Sequence, residues 1–129
     1  LPFHEPPCES HIDNLKLLRV ELSLNYTKID FGYQATEKDE KGGKIRISKK
    51  TYLWDKNKKF KLTHTENIPL APKHYYFKTS DDGLFFSLYF EPIPMQSDEI
   101  FIIEEDFENE VDLNFYSIIL KEKKQYEVK

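Results

Sequence analysis

Four histidines, one cysteine and a run of carboxylates are the residues of this 129-residue chain whose types could do chemistry. His4, His11, His64 and His74 are not paired at the i, i+2 or i, i+4 spacing that sets two imidazoles around a metal. His74, beside an aromatic run, reads as a residue that orients a loop. Ser10, His11 and Asp13 supply the types of a nucleophilic triad. A triad also needs a rigid turn beneath its nucleophile, and no Gly-x-Ser-x-Gly occurs. Cys8 lacks a nucleophile's local signature, and a lone cysteine excludes an intrachain disulfide. Glu104, Glu105, Asp106, Glu108, Glu110 and Asp112 make an oxygen-rich stretch without the spacing and glycine of a calcium loop, so a solvated acidic loop is the simpler reading. No catalytic residue, metal or cofactor is expected.

The aromatic residues are more informative. Ten Phe, eight Tyr and one Trp make up 15% of the chain, more than one sheet core needs. Packing between strands accounts for rings that alternate inward. An outward set of Tyr52, Trp54, Tyr75, Tyr76 and Tyr89 would instead form a protein interface or a sugar platform, because Tyr and Trp join an apolar body to a polar handle. Aromatics in a basic groove would suit single-stranded nucleic acid. The formal net charge of −4 argues against that partner.

Strands must carry these side chains. Val20 to Leu24 alternates apolar and polar residues, and Ile29, Phe31 and Tyr33 continue the pattern, with Gly32 as a candidate bulge. Ile45 and Ile47 share a face. Tyr52 to Trp54 and Phe60 to Leu62 flank the polar turn Asp55 to Lys58 as a hairpin, although that turn lacks glycine. A short aromatic strand covers His74 to Phe77. Asp81-Asp82-Gly83 is a turn into Leu84 to Glu91, where Phe86, Leu88 and Phe90 face one way and Phe85, Ser87 and Tyr89 the other. Pro92 and Pro94 end this expected central strand. Ile100 to Ile103 and Leu113 to Leu120 add two more.

The pattern predicts an all-β, immunoglobulin-like antiparallel sandwich of about eight or nine strands. An extended arm is expected over 1–14, the domain over 15–120 and a charged tail over 121–129. No stretch has the apolar length of a membrane-spanning helix, so membrane insertion is not expected. The chain opens on Leu1, which predicts that a preceding segment has been removed.

Three runs together resemble a known pattern. They are Tyr52-Leu53-Trp54-Asp55, Ile68-Pro69-Leu70-Ala71-Pro72-Lys73-His74-Tyr75, and Leu88-Tyr89-Phe90-Glu91-Pro92-Ile93-Pro94. The order is similar to an uncharacterised β-sandwich domain family of exported Bacteroidetes proteins, over Leu15 to Leu120. The resemblance implies an immunoglobulin-like fold and a periplasmic or cell-surface location. It supplies no catalytic residue or ligand; together with the strand pattern and the missing site chemistry it leads to the expectation of a non-catalytic accessory or interaction module beside another envelope protein. A carbohydrate-binding module using the aromatic set is the alternative expectation.

Overall fold

The computed structural model describes residues 1–35, 44–70, 73, 75–77, 82–104 and 114–121. In chain order its strands are β1 (Pro2–His4), β2 (Glu9–Ser10), β3 (Leu15–Leu22), β4 (Thr27–Gln34), β5 (Lys44–Ile45), β6 (Tyr52–Asp55), β7 (Lys58–Glu66), β8 (Tyr75–Tyr76), β9 (Gly83–Phe90), β10 (Glu99–Ile103) and β11 (Phe115–Ile119). Among the described residues there is no helix, and every ladder between strands is antiparallel. The expected all-β class is met. The architecture is one curled nine-stranded sheet, a half-barrel in the order β1-β3-β4-β9-β7-β6-β10-β11-β2, with β5 and β8 forming a separate pair.

Alternation decides which side of each strand enters the core. On β4 the residues Thr27, Ile29 and Phe31 are buried, and on β9 Phe86, Leu88 and Phe90 are. Gly83 to Phe90 is an interior strand as expected, paired with β4 on one side and β7 on the other. Gly32 is not a bulge: it sits in regular register between Lys16 and Phe85. The irregularities lie elsewhere, between Leu17 and Arg19, Leu62 and His64, and Ile100 and Ile102.

β7 is where the sheet turns over. Its first half pairs with β6 and its second half with β9, and the irregularity at Leu62/His64 separates the two. The curl brings β4 onto β11: Phe31 stacks on Phe86 at 5.1 Å and meets Phe115, from the far side of the sheet, at 5.5 Å. These aromatic contacts hold the concave side closed.

Residues 1–10 bind both margins of this sheet. β1 pairs with β3 at one edge, and β2 pairs with β11 at the other. Phe3 is buried, and Ile119 N–H donates to Pro7 O at 2.9 Å. The segment expected as an extended arm is therefore extended along its own sheet. It covers two edges whose backbone groups would otherwise face solvent.

Candidate functional site

The side of β3, β4, β9 and β7 turned away from the core carries two different surfaces. Toward one end lies a charged and aromatic cluster. His64 stacks on Tyr89 with centroids 4.1 Å apart and rings 13° from parallel, and Tyr26 meets Tyr89 edge-on at 5.5 Å. The Tyr89 hydroxyl donates to Glu66 Oε1. Lys28 Nζ stands 3.8 Å from Asp30 Oδ1 and 4.0 Å from Glu66 Oε1. Ser87 Oγ donates to Asp30 Oδ1 at 2.6 Å, and Arg19 reaches Glu21 at 3.2 Å.

These neighbours set the protonation behaviour. The hydrogen bond to Glu66, assisted by burial, raises the Tyr89 hydroxyl above its ordinary value. Burial lowers Lys28, but the Asp30 carboxylate, Tyr89 and Glu66 outweigh it and leave the amine raised. The cluster is self-satisfied: cations meet carboxylates and hydroxyls have acceptors. Ion pairs this exposed contribute little to stability, so its main effect is to fix the positions of polar groups along the face.

At the other end the polar side chains give way to a groove. Its volume is about 480 Å³, and it is lined by residues of β3, β4 and β9 together with Asp13 and Asn14. Two glycines are part of the lining. Gly32 faces Phe85 across the β4–β9 ladder, and Gly83 faces Gln34. The extra residue in β3 between Leu17 and Arg19 lets Leu18 lie over Gly32, where a β-carbon would come within 3.3 Å of Leu18 Cδ1. Phe85 is the opposite wall and is 73% exposed. Asp13, Asn14, Lys16 and Gln34 form a polar rim, with Asn14 Nδ2 donating to Gln34 O at 2.8 Å. Such a site can grip one apolar group and orient it by polar contacts at its edge.

The five residues expected to form a surface fall in three places. Tyr52 and Trp54 lie half-buried on the outer side of β6, Tyr52 beneath Lys59 Nζ at 4.4 Å and Trp54 opposite Phe101. Tyr89 belongs to the charged cluster. Tyr75 and Tyr76 are exposed on β8, where Tyr75 leans edge-on against buried Phe77 at 5.1 Å. Phe77 in turn stacks on Tyr33 at 5.2 Å.

The other sequence candidates are spread out. Ser10 Oγ accepts from Ile12 N at 3.1 Å, while His11 packs edge-on against Tyr116 at 6.2 Å. Cys8 is half-buried, and burial raises its thiol. Glu104 is buried and accepts from Ser48 N at 2.8 Å. The rest of the acidic run and His74 lie outside the described residues. Among the described residues no three His, Cys, Asp or Glu side chains gather as metal ligands do, and no helix is long and apolar enough to cross a membrane.

Leu18, Gly32 and Gly83 are not legible as site residues in the sequence, and Phe85 is legible only as one ring of the wider aromatic excess. The available signal was Phe85, an apolar ring on the polar side of an alternating strand. Comparison with family models, curated proteins and solved structures returns no match.

Proposed function

We propose that this chain is a non-catalytic interaction module that takes an apolar side chain of a protein partner into the groove lined by Leu18 and Phe85. The observation that carries the reading is the position of Phe85, three-quarters exposed on an interior strand, packed over Gly32 and lining the groove. A rigid aromatic wall loses little conformational freedom on binding, and aromatic anchors in pockets dominate protein interfaces. The walls offer more carbon than polar atoms, which favours a protein side chain over a sugar. In keeping with the resemblance of the sequence, the module would serve an exported Bacteroidetes protein or envelope complex, in the periplasm or at the cell surface. We read the curled sheet as an immunoglobulin-like sandwich, a reading supported by Phe31 and Phe115 meeting from opposite halves.

Selection from a random peptide library on the folded domain, with Phe85→Ser as the counter-selecting bait, tests this. Enriched peptides carrying a large apolar residue and lost on Phe85→Ser are expected. Enrichment indifferent to Phe85, or none, would overturn the reading.

A carbohydrate-binding module is the second reading. It is favoured by Tyr52 and Trp54 standing together on the outer side of β6, beside Phe101. Glycan-array binding lost in a folded Trp54→Ala variant would establish it, and a blank array would remove it.

A further inference from the structure

We propose that β1 is an exchangeable strand, by which two copies of this chain form a dimer in which each Pro2–His4 pairs with the other copy's β3. The segment between β1 and β2 points to this. It is only four residues long, Glu5-Pro6-Pro7-Cys8, and it must carry the chain from one edge of the sheet to the other. Pro6 and Pro7 each hold φ near −65°. The reversal therefore falls on Glu5, which takes φ 42. A side-chain-bearing residue is strained there, and one preceding proline is normally driven to extended backbone. Short strained hinges favour strand exchange.

The attachment of β1 suits such a transfer. Its ladder is short, Pro2↔Glu21, Phe3↔Val20 and His4↔Arg19, and Phe3 is its one buried side chain. The Leu1 amino group donates to Leu22 O at 2.8 Å, Leu22 N–H donates to Leu1 O at 3.0 Å, and Glu5 N–H donates to Leu18 O at 2.8 Å. All of these donors and acceptors lie on the β1 side of the Glu5 N–Cα bond or on β3. Rotation about that bond re-forms the same contacts between copies while Glu5 relaxes to an extended conformation. The far side of the hinge stays in place, because Pro7 O accepts from Ile119 N. Four extended residues reach at most about 14 Å, so the exchanged copies would lie directly against each other. Reciprocal exchange gives a closed two-fold dimer.

The test uses the full chain carrying Pro2→Cys, Glu21→Cys and Cys8→Ser, refolded from urea at low and high concentration and then oxidised. Residues 2 and 21 are cross-strand partners, within disulfide reach. Light scattering should show a dimer fraction that grows with concentration, and that fraction should run as a covalent dimer on a denaturing gel. Glu5→Gly, which removes the strain from the closed form, should lower the dimer fraction at least about tenfold. A chain that stays monomeric, a dimer whose disulfides are all intramolecular, or a dimer unaffected by Glu5→Gly would each overturn the proposal.

Discussion

Phe85 and Gly32 face each other across the β4–β9 ladder, and the absent side chain at Gly32 is what lets Leu18 and the Phe85 ring close over the strand beside the groove. A β-carbon at Gly32 would stand 3.3 Å from both Phe85 Cε1 and Leu18 Cδ1. Those atoms are ends of movable side chains rather than backbone, so the position tolerates small additions and is crowded by large ones. Gly32→Ala should keep stability within about 1 kcal/mol, as the gain in strand propensity offsets the contact. Gly32→Val should displace Leu18 and Phe85 from their places in the groove wall and abolish binding of a groove-selected peptide. Phe85→Ser should do the same with under about 1 kcal/mol of destabilisation in urea, because most of the ring already faces water.

The β6–β7 turn is a separate test of the backbone reading. Lys56 and Asn57 take φ 47 and 67 between the paired residues Asp55 and Lys58. Two successive positive φ values in a two-residue hairpin define a type I′ turn, which favours Asn-Gly. The present Lys-Asn leaves the first position strained. Lys56→Asn combined with Asn57→Gly should stabilise the fold by about 1 kcal/mol. Calorimetry should show a rise in Tm of about 4 °C.

Alkaline pH should weaken the fold through the cluster around Tyr89. Tyr89 and Lys28 are both raised above their ordinary values of 10.0 and 10.5. Each therefore holds its proton more tightly folded than unfolded. Their stabilisation is complete below the ordinary values and is lost as pH rises through the raised ones. Glu66→Ala, which removes both the acceptor of the Tyr89 hydroxyl and the charge beside the two groups, should bring the ionisation of Tyr89 back toward 10.0 and reduce the slope of stability above it. Ultraviolet titration against a Tyr89→Phe reference measures the first effect, and urea unfolding across that range measures the second.

Asp55 gives a fourth test. It is buried, its Oδ2 accepts from Ser97 Oγ at 2.7 Å, and among the described residues its Oδ1 has no partner. Removing that one donor leaves the carboxyl group without any among the described residues. Ser97→Ala should therefore cost about 1.5–3 kcal/mol, more than a neutral hydroxyl deletion. Denaturant unfolding with an unchanged m value would identify the loss as one of stability.

How far the sequence led depended on the range of the interaction. Strands β3, β4, β7 and β9 were legible because alternation is local, as was the division of β9 into Phe86, Leu88, Phe90 and Phe85, Ser87, Tyr89. Gly32 was misread as a bulge because a lone glycine in a strand marks either a bulge or a close approach. Here it accommodates Leu18 and Phe85. Edge coverage by residues 1–10 could not be seen, since pairing β1 with β3 and β2 with β11 is a matter of sheet order. The aromatic set did not converge for the same reason: Tyr52 and Tyr89 lie on strands separated by β7, and Tyr75 belongs to another sheet. The groove needed the register of three strands before it could be recognised.

The most direct test is amide chemical-shift mapping of the uniformly labelled chain, titrated with a peptide from the Phe85-dependent selection. The amides of Gly32 and Gly83 lie in the groove lining and serve as reporters. The largest shifts are expected at Leu18, Gly32, Gly83 and Phe85, with saturation at one peptide per chain. Shifts centred instead on Tyr52 and Trp54, or along the edges at Pro2–His4 and Phe115–Ile119, would contradict binding in the groove.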